Sequence, residues 1–123
     1  MTQDRSPNIS RRNGVTIVAL GSEYENIDES SLDELTKAIL DVASTADPPH
    51  VVLDLAHTQF FGSSFIEVLF RAWNRLNARE GGRFALSGLT KYCREVIGTT
   101  HLDRLWRVYA SADEAVEALS ADE

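Results

Sequence analysis

The sequence predicts an α/β domain with a mixed, mainly parallel sheet and about four helices. Two hydrophobic spacings alternate along the 123 residues: short apolar runs typical of buried strands, and i, i+3, i+4 patterns typical of helices. Strand and helix patterns alternate four times, which favours parallel strands joined by right-handed crossovers. The length fits a single domain that buries a substantial core.

The predicted elements follow from these spacings. Strands are expected at residues 15–20, 51–55, 83–87 and 105–109, and helices at 30–45, 63–80, 90–98 and 111–120. Residues 1–12 are polar and are predicted to form a flexible arm, with an edge strand near Ile9 as the alternative. The domain then covers residues 13–120, and it opens with the turn-forming pair Asn13-Gly14.

Helix starts are marked by three Ser-x-x-Glu spacings, the signature of a capping box. These pairs are Ser31–Glu34, Ser64–Glu67 and Ser111–Glu114. Gly81-Gly82 is expected to end the second helix. Thr90 is expected to cap the third helix, whose apolar positions are Tyr92, Cys93, Val96 and Ile97.

The stretch from Val51 to Leu69 joins a buried strand to an amphipathic helix through a turn at Gly62. Ser63 and Ser64 are the first exposed hydroxyls expected on that helix. Its N-terminal N–H groups are unpaired and its dipole is positive there, so a phosphate on either serine would be well placed. The core should contain apolar residues from several elements: Leu53, Phe65, Leu69, Ala72, Trp73, Leu86, Ile97 and Trp106.

Composition narrows the classes of function. The formal net charge of −7 argues against general nucleic-acid binding, which needs a basic face. No apolar run approaches the roughly 20 residues that span a bilayer, and residues 1–5 lack the apolar core of a secretion signal. The single Cys93 excludes an internal disulfide and fits a reducing, cytoplasmic compartment.

Metal and cofactor chemistry finds no support in the residue spacing. His50, His57 and His101 do not stand at metal-ligand spacing, and Cys93 has no second cysteine with which to build a zinc site. A Gly-x-x-x-x-Gly-Lys-Ser/Thr phosphate loop is also missing from the sequence. We therefore expect neither a metal nor a cofactor.

Four segments together resemble the STAS domain, the fold of the bacterial anti-sigma factor antagonists. A strand ending in Asp54-Leu55 precedes Phe60-Phe61-Gly62-Ser63-Ser64-Phe65, which is similar to the family's Phe-x-Asp-Ser-Ser/Thr-Gly, and a long amphipathic helix follows. Residues 81–86 resemble the family's Gly-Gly-x-apolar strand. Residues 96–106 resemble its apolar-x-x-x-Gly-Leu-x-x-Leu-apolar segment, so the resemblance spans about residues 14–119.

This resemblance implies a protein-binding switch rather than a catalyst. In the family, the unphosphorylated antagonist binds an anti-sigma factor that is also a serine kinase, and so frees a sigma factor. Phosphorylation breaks the complex, and a phosphatase restores it. The matching puts the phosphoserine at Ser63, with Ser64 as the alternate, and leaves a homodimer open. The implied partner surface comprises Phe61, Gly62, Ser63, Ser64 and Phe65, joined by Glu23 and Tyr24 from the loop after the first strand.

Two residues depart from the family pattern. Gly62 stands where the family has Asp, and Phe65 stands where it has Gly two residues after the phosphoserine. The missing carboxylate favours an alternative function, a non-phosphorylated scaffold or accessory subunit of a larger assembly. Gly62 also allows a turn with positive φ. Phe65 belongs in the core or at an interface, and a core position is favoured.

A small serine hydrolase is the remote alternative. Residues 62–66 form half of a Gly-x-Ser-x-Gly nucleophile elbow, but Ile66 occupies the second glycine position. His101 is the one histidine downstream of the serines, and we expect no enzyme. A stripe of Arg71, Arg75 and Arg79 on the second helix predicts either a solvated face or a surface for an acidic partner.

Overall fold

The computed structural model describes residues 7–121, which form a sheet with helices packed against both faces. The strands are β1 (Asn8–Arg12), β2 (Val15–Ala19), β3 (Asn26–Ile27), β4 (His50–Asp54), β5 (Phe60–Phe61), β6 (Arg83–Ser87) and β7 (Arg107–Tyr109). The helices are α1 (Glu29–Thr45), α2 (Ser63–Asn77), α3 (Lys91–Thr99) and α4 (Ala112–Ala121). Short 3-10 turns cover Ser22–Tyr24 and Leu102–Arg104. The predicted α/β class, with its mixed and mainly parallel sheet, is confirmed.

The main sheet of the described residues has the order β1-β2-β4-β6-β7. β1 pairs antiparallel with β2, and the other three pairings are parallel. Residues 50–53 of β4 are all buried, as expected of the central strand. Part of the predicted arm is therefore the edge strand β1, while its residues 1–6 lie outside the described range.

A tight hairpin joins β1 to β2. Asn13 and Gly14 have φ values of 53° and 80°, the positive values that a two-residue type I′ turn requires at both central positions. The turn sets the register in which Arg12 faces Val15 and Ile9 faces Val18. The Asn-Gly turn signal is thus explained by backbone geometry.

Side-chain alternation along the strands divides the core between two faces of the sheet. Val18, Leu53 and Leu86 lie in the core shared with α1, α2 and α3. Val52 and Ala85 point to the opposite face, where α4 packs. Of the predicted core residues, Trp73 alone is half-buried, and its indole packs edge-on against the Phe70 ring. The others are buried: Leu53, Phe65, Leu69, Ala72, Leu86, Ile97 and Trp106.

Several predicted boundaries were wrong. α2 ends at Asn77, three residues before the predicted end at 80. The last strand begins at Arg107 rather than at 105, because residues 102–104 form a 3-10 turn and Leu105 is exposed. The two-stranded sheet of β3 and β5 was not predicted, since two residues are too few to show a hydrophobic period.

The arginine stripe has a structural role that neither sequence interpretation included. Arg75 Nη1 donates to Ser44 Oγ at 2.9 Å, and Arg79 Nη1 donates to the Ala43 carbonyl oxygen at 3.2 Å. Both acceptors lie in the last turn of α1, which contains no basic residue of its own. The guanidinium groups therefore complement the negative end of the α1 dipole, and they join α2 to α1. Arg71 is exposed.

No helix within residues 7–121 is both long enough and apolar enough to cross a membrane.

Candidate functional site

The loop after β4 is held against β6 by backbone hydrogen bonds. Leu55 N–H donates to the Ser87 carbonyl oxygen at 2.9 Å, and Thr58 N–H donates to the Leu55 carbonyl oxygen at 3.0 Å. Asp54 Oδ1 accepts from Ala56 N–H at 3.1 Å, which is the local turn that an aspartate side chain favours. The loop that leads to α2 is therefore positioned by the central strands.

The two-residue strand β5 brings the loop after β2 beside the start of α2. Asn26 faces Phe60 and Ile27 faces Phe61 in a parallel pairing. The Glu25 carbonyl oxygen accepts from Gln59 N–H at 2.7 Å and from Phe60 N–H at 3.1 Å. The segment that carries Glu23 and Tyr24 thus adjoins the segment that leads to Ser63, as the predicted partner surface requires.

Helix α2 begins at Ser63 and has no side-chain cap. Gly62 is the N-cap residue, and its carbonyl oxygen accepts from Phe65 N–H at 3.1 Å and from Ile66 N–H at 3.3 Å. The predicted Ser64–Glu67 capping box was wrong, because the helix starts one residue before Ser64. Both Ser63 and Ser64 are exposed, and neither hydroxyl makes a hydrogen bond to another residue of the described chain.

Gly62 is not required by the backbone conformation. Its φ of −105° and ψ of −174° are extended values that any residue adopts, so the interpretation of a positive-φ turn was wrong. A Cβ atom added at this position would meet nothing within 4 Å. The surroundings therefore leave open space for the Cβ of an aspartate, the family's residue here.

The predicted partner residues divide into an exposed and a buried group. Ser63, Ser64 and Glu23 are exposed, and Gly62 is partly exposed. Phe61, Phe65 and Tyr24 are 2%, 1% and 0% exposed, and the rings of Phe61 and Phe65 lie 5.3 Å apart. The core position favoured for Phe65 is thus observed. Because buried side chains contact no partner from this conformation, we leave these three out of the proposed contact surface.

An exposed aromatic pair connects β5, the strand that leads to these serines, with the first turn of α3. Phe60 and Tyr92 are each 45% exposed, and their rings stack with centroids 5.5 Å apart and planes 30° apart. Sequence reasoning missed the pair and assigned Tyr92 to the apolar face of α3. The available signal was the double Phe60-Phe61, since neighbouring residues of a strand point to opposite faces.

The Thr58 carbonyl oxygen joins the loop before β5 to the first turn of α3. It accepts from Thr90 Oγ1 at 3.0 Å and from Cys93 Sγ at 3.5 Å. Thr90 holds the predicted N-cap position, but its hydroxyl makes this tertiary contact instead of capping. Burial raises the pKa of the Cys93 thiol, opposed by a hydrogen bond with Thr90, so the thiol stays neutral near pH 7. Cys93 is a small buried hydrophobe, as predicted.

The features of a hydrolase are not assembled at these serines. His101 lies in the turn after α3, at φ 60°, and no histidine of residues 7–121 hydrogen-bonds to Ser63 or Ser64. The same residues contain no cluster of His, Cys, Asp or Glu able to hold a metal ion. A half-open cavity of about 440 Å³ lies instead between α3 and β7, lined by Leu89, Arg94, Ile97, Asp103 and Tyr109 among others.

Comparisons with known proteins agree on one family. A family model described as the STAS domain matches residues 6–115. The chain is similar to an anti-sigma-factor antagonist (STAS) domain protein from Planctomyces limnophilus, with 32% identity, a TM-score of 0.88, and coverage of 94% of this chain and 98% of that one.

Two further solved structures are similar over nearly the whole chain. An anti-sigma factor antagonist from Mycobacterium paratuberculosis has 26% identity and a TM-score of 0.78, with 97% of this chain and 98% of that one covered. A Thermotoga maritima protein with 19% identity shares the fold at a TM-score of 0.80, with 92% and 93% covered. No curated protein sequence matches the chain.

Proposed function

The chain belongs to the STAS domain family, and on that premise we propose that it is an anti-sigma factor antagonist switched by phosphorylation of Ser63. Its partner would be an anti-sigma factor with serine kinase activity, whose sequestration frees a sigma factor. The observation that carries the proposal is the bare start of α2, where two exposed serine hydroxyls have no structural task. The similar structures from Planctomyces limnophilus and Mycobacterium paratuberculosis support the antagonist function.

Ser63 is the better acceptor of the two serines. It is the first residue of α2 and directly follows the extended Gly62, whereas Ser64 is the second residue of the helix. It also matches the family's phosphoserine position. In the reaction, Ser63 Oγ would take the γ-phosphoryl group of ATP and lose its proton, and ADP would leave.

The phosphate would act on binding and not on folding. It adds a charge of about −1.5 to −2 and three acceptor oxygens. The positive end of the α2 dipole and the free N–H groups of its first turn tolerate an anion there. A partner packed closely over Ser63 would have to strip water from the phosphate, at a cost of a few kcal/mol. Each 1.4 kcal/mol weakens binding about tenfold, so the complex would dissociate.

The test is a calorimetric titration of the purified chain with the kinase-like anti-sigma factor encoded in the same genome. We expect Ser63→Asp to weaken binding about a hundredfold with an unchanged melting temperature, and Ser63→Ala to bind but accept no phosphate. Ser64→Ala is the matched control, one residue away and also exposed, and should still accept phosphate. Tight binding by Ser63→Asp, with no phosphate transferred from ATP, would refute the switch.

The second candidate is a STAS scaffold or accessory subunit that is never phosphorylated. Gly62 favours it, because the family's aspartate is missing although the backbone leaves room for it. The two candidates differ in one measurement. Phosphate incorporation at residue 63 in the presence of kinase and ATP supports the switch, and binding without incorporation supports the scaffold.

A further inference from the structure

We propose that the stacked rings of Phe60 and Tyr92 are the apolar anchor of the partner-binding surface, and that the same contact covers Ser63. We call this pair the aromatic platform. The inference rests on the proposed function, because it assigns residues to the surface that the same partner would contact. The sequence resemblance did not include either residue in that surface.

The exposure of the aromatic platform does not stabilise the isolated domain. Phe60 and Tyr92 are each 45% exposed, although both are large aromatic side chains. Aromatic residues with this combination of area and rigidity are enriched among the residues that dominate binding energy at protein interfaces. Phe60 stands three residues before Ser63, so a partner that covers the rings also reaches the start of α2.

The two rings are held in place by the protein beneath them. Phe60 lies on β5, whose backbone is fixed by pairing with β3 and by the hydrogen bond to the Glu25 carbonyl oxygen. Tyr92 lies in the first turn of α3, which Thr90 and Cys93 attach to the Thr58 carbonyl oxygen. A surface ordered before binding loses less conformational entropy when a partner docks.

The charges around the platform indicate the chemistry of the partner. Glu23 and Glu25 are exposed on the adjoining loop and form no ion pair with any residue of 7–121. Glu25 is the nearer, because its carbonyl oxygen accepts from Phe60 N–H. On α3 the exposed charges are mixed, with basic Lys91 beside Tyr92, basic Arg94 and acidic Glu95. The matching partner is a folded domain with an apolar recess bordered mainly by basic side chains on the side that meets Glu23 and Glu25.

The effect of a carboxylate on partner binding then depends on where it lies in the contact surface and not on its charge alone. Glu23 and Glu25 lie at the rim, where charges stay hydrated and attract a basic partner during association. An anion at residue 63 lies under the contact and loses its hydration. We therefore expect each of the single substitutions Glu25→Gln and Ser63→Asp to weaken binding to the partner, although the first removes a negative charge and the second adds one.

Alanine substitutions with matched controls test the platform. Phe60→Ala and Tyr92→Ala should each weaken binding to the kinase-like anti-sigma factor at least tenfold, and Tyr92→Phe, which keeps the ring, should bind within twofold of wild type. Leu105→Ala and Ile9→Ala remove side chains that are equally exposed, 45% and 48%, from other parts of the surface. These controls should bind as wild type, and thermal melts should show that all five variants fold.

The outcomes distinguish a failure of the inference alone from a failure of the function on which it rests. Wild-type binding that both alanine variants retain would overturn the platform and leave the switch standing. Weakened binding by the Leu105 or Ile9 controls as well would also overturn it. No wild-type binding would overturn both. If Phe60→Ala instead dissolves a dimer seen by light scattering, the platform binds a second copy of this chain, and the inference is wrong.

Discussion

The starts of α2 and α4 carry the same Ser-x-x-Glu signature but form different structures. At α4, Ser111 Oγ accepts from Glu114 N–H at 3.2 Å, and Glu114 Oε2 accepts in return from Ala110 N–H at 3.1 Å. At α2, the helix starts before Ser64, and neither serine caps it. The serine of α4 caps its helix and so stabilises the fold, whereas the two serines at the start of α2, where we place the function, make no cap.

The largest effect should come from the buried face of α2, which stabilises this helix in place of a cap. Leu69 is 0% exposed and lies in the core beneath the sheet. Leu69→Ala should therefore lower the free energy of unfolding by about 2–5 kcal/mol through lost burial and the cavity left behind. Denaturant unfolding measures the change, and a loss below about 1 kcal/mol would show that α2 depends on something other than this face.

The direct test of the comparison is a pair of serine substitutions. Ser111→Ala removes an observed cap and should cost about 0.5–2 kcal/mol. Ser64→Ala removes a hydroxyl without a partner and should change stability by less than about 0.5 kcal/mol. Chemical denaturation of both variants under one condition decides the matter, since equal losses would mean that α2 is capped in solution after all.

The smallest effect should come from restoring the family's residue at the start of α2. The Cβ of Gly62→Asp would meet nothing within 4 Å, and its carboxylate provides an acceptor for the free N–H groups, so the free energy of unfolding should rise by a few tenths of a kcal/mol. Gly82→Ala is the control, because its Cβ would lie 1.7 Å from the Leu76 carbonyl oxygen and must destabilise the chain. A melting temperature lowered by Gly62→Asp would contradict the open geometry at this position.

The main elements were predictable because burial imposes its own period on the sequence. The runs at β2, β4 and β6 and the apolar face of α2 are continuous enough for local spacing to identify them. The Ser31–Glu34 spacing lies inside α1 and not at its start, because the helix begins at Glu29, where Asp28 Oδ1 accepts from Ser30 N–H at 3.0 Å. A four-residue signature fixes the type of element but not the residue at which it begins.

The candidate site was predictable only in part. Ser63 was predicted through the resemblance to a known family and stays a prediction, and its exposure is compatible with the proposed role. The aromatic platform depends on a contact between β5 and α3, which are 30 residues apart along the chain, and on which face of a two-residue strand Phe60 occupies. A contact between distant segments produces no hydrophobic periodicity, so the sequence alone did not predict it.

The contact of Arg75 and Arg79 with the last turn of α1 couples the local stability of α1 to that of α2. The end of α1 has no basic side chain of its own, and α2 supplies donors to the Ala43 carbonyl oxygen and to the Ser44 hydroxyl in its last turn. Local opening of α2 would remove those donors at the same time as it exposes the shared core. The two helices should therefore behave as one cooperative unit, and the amide hydrogens near residue 45 should exchange with solvent together with those of α2.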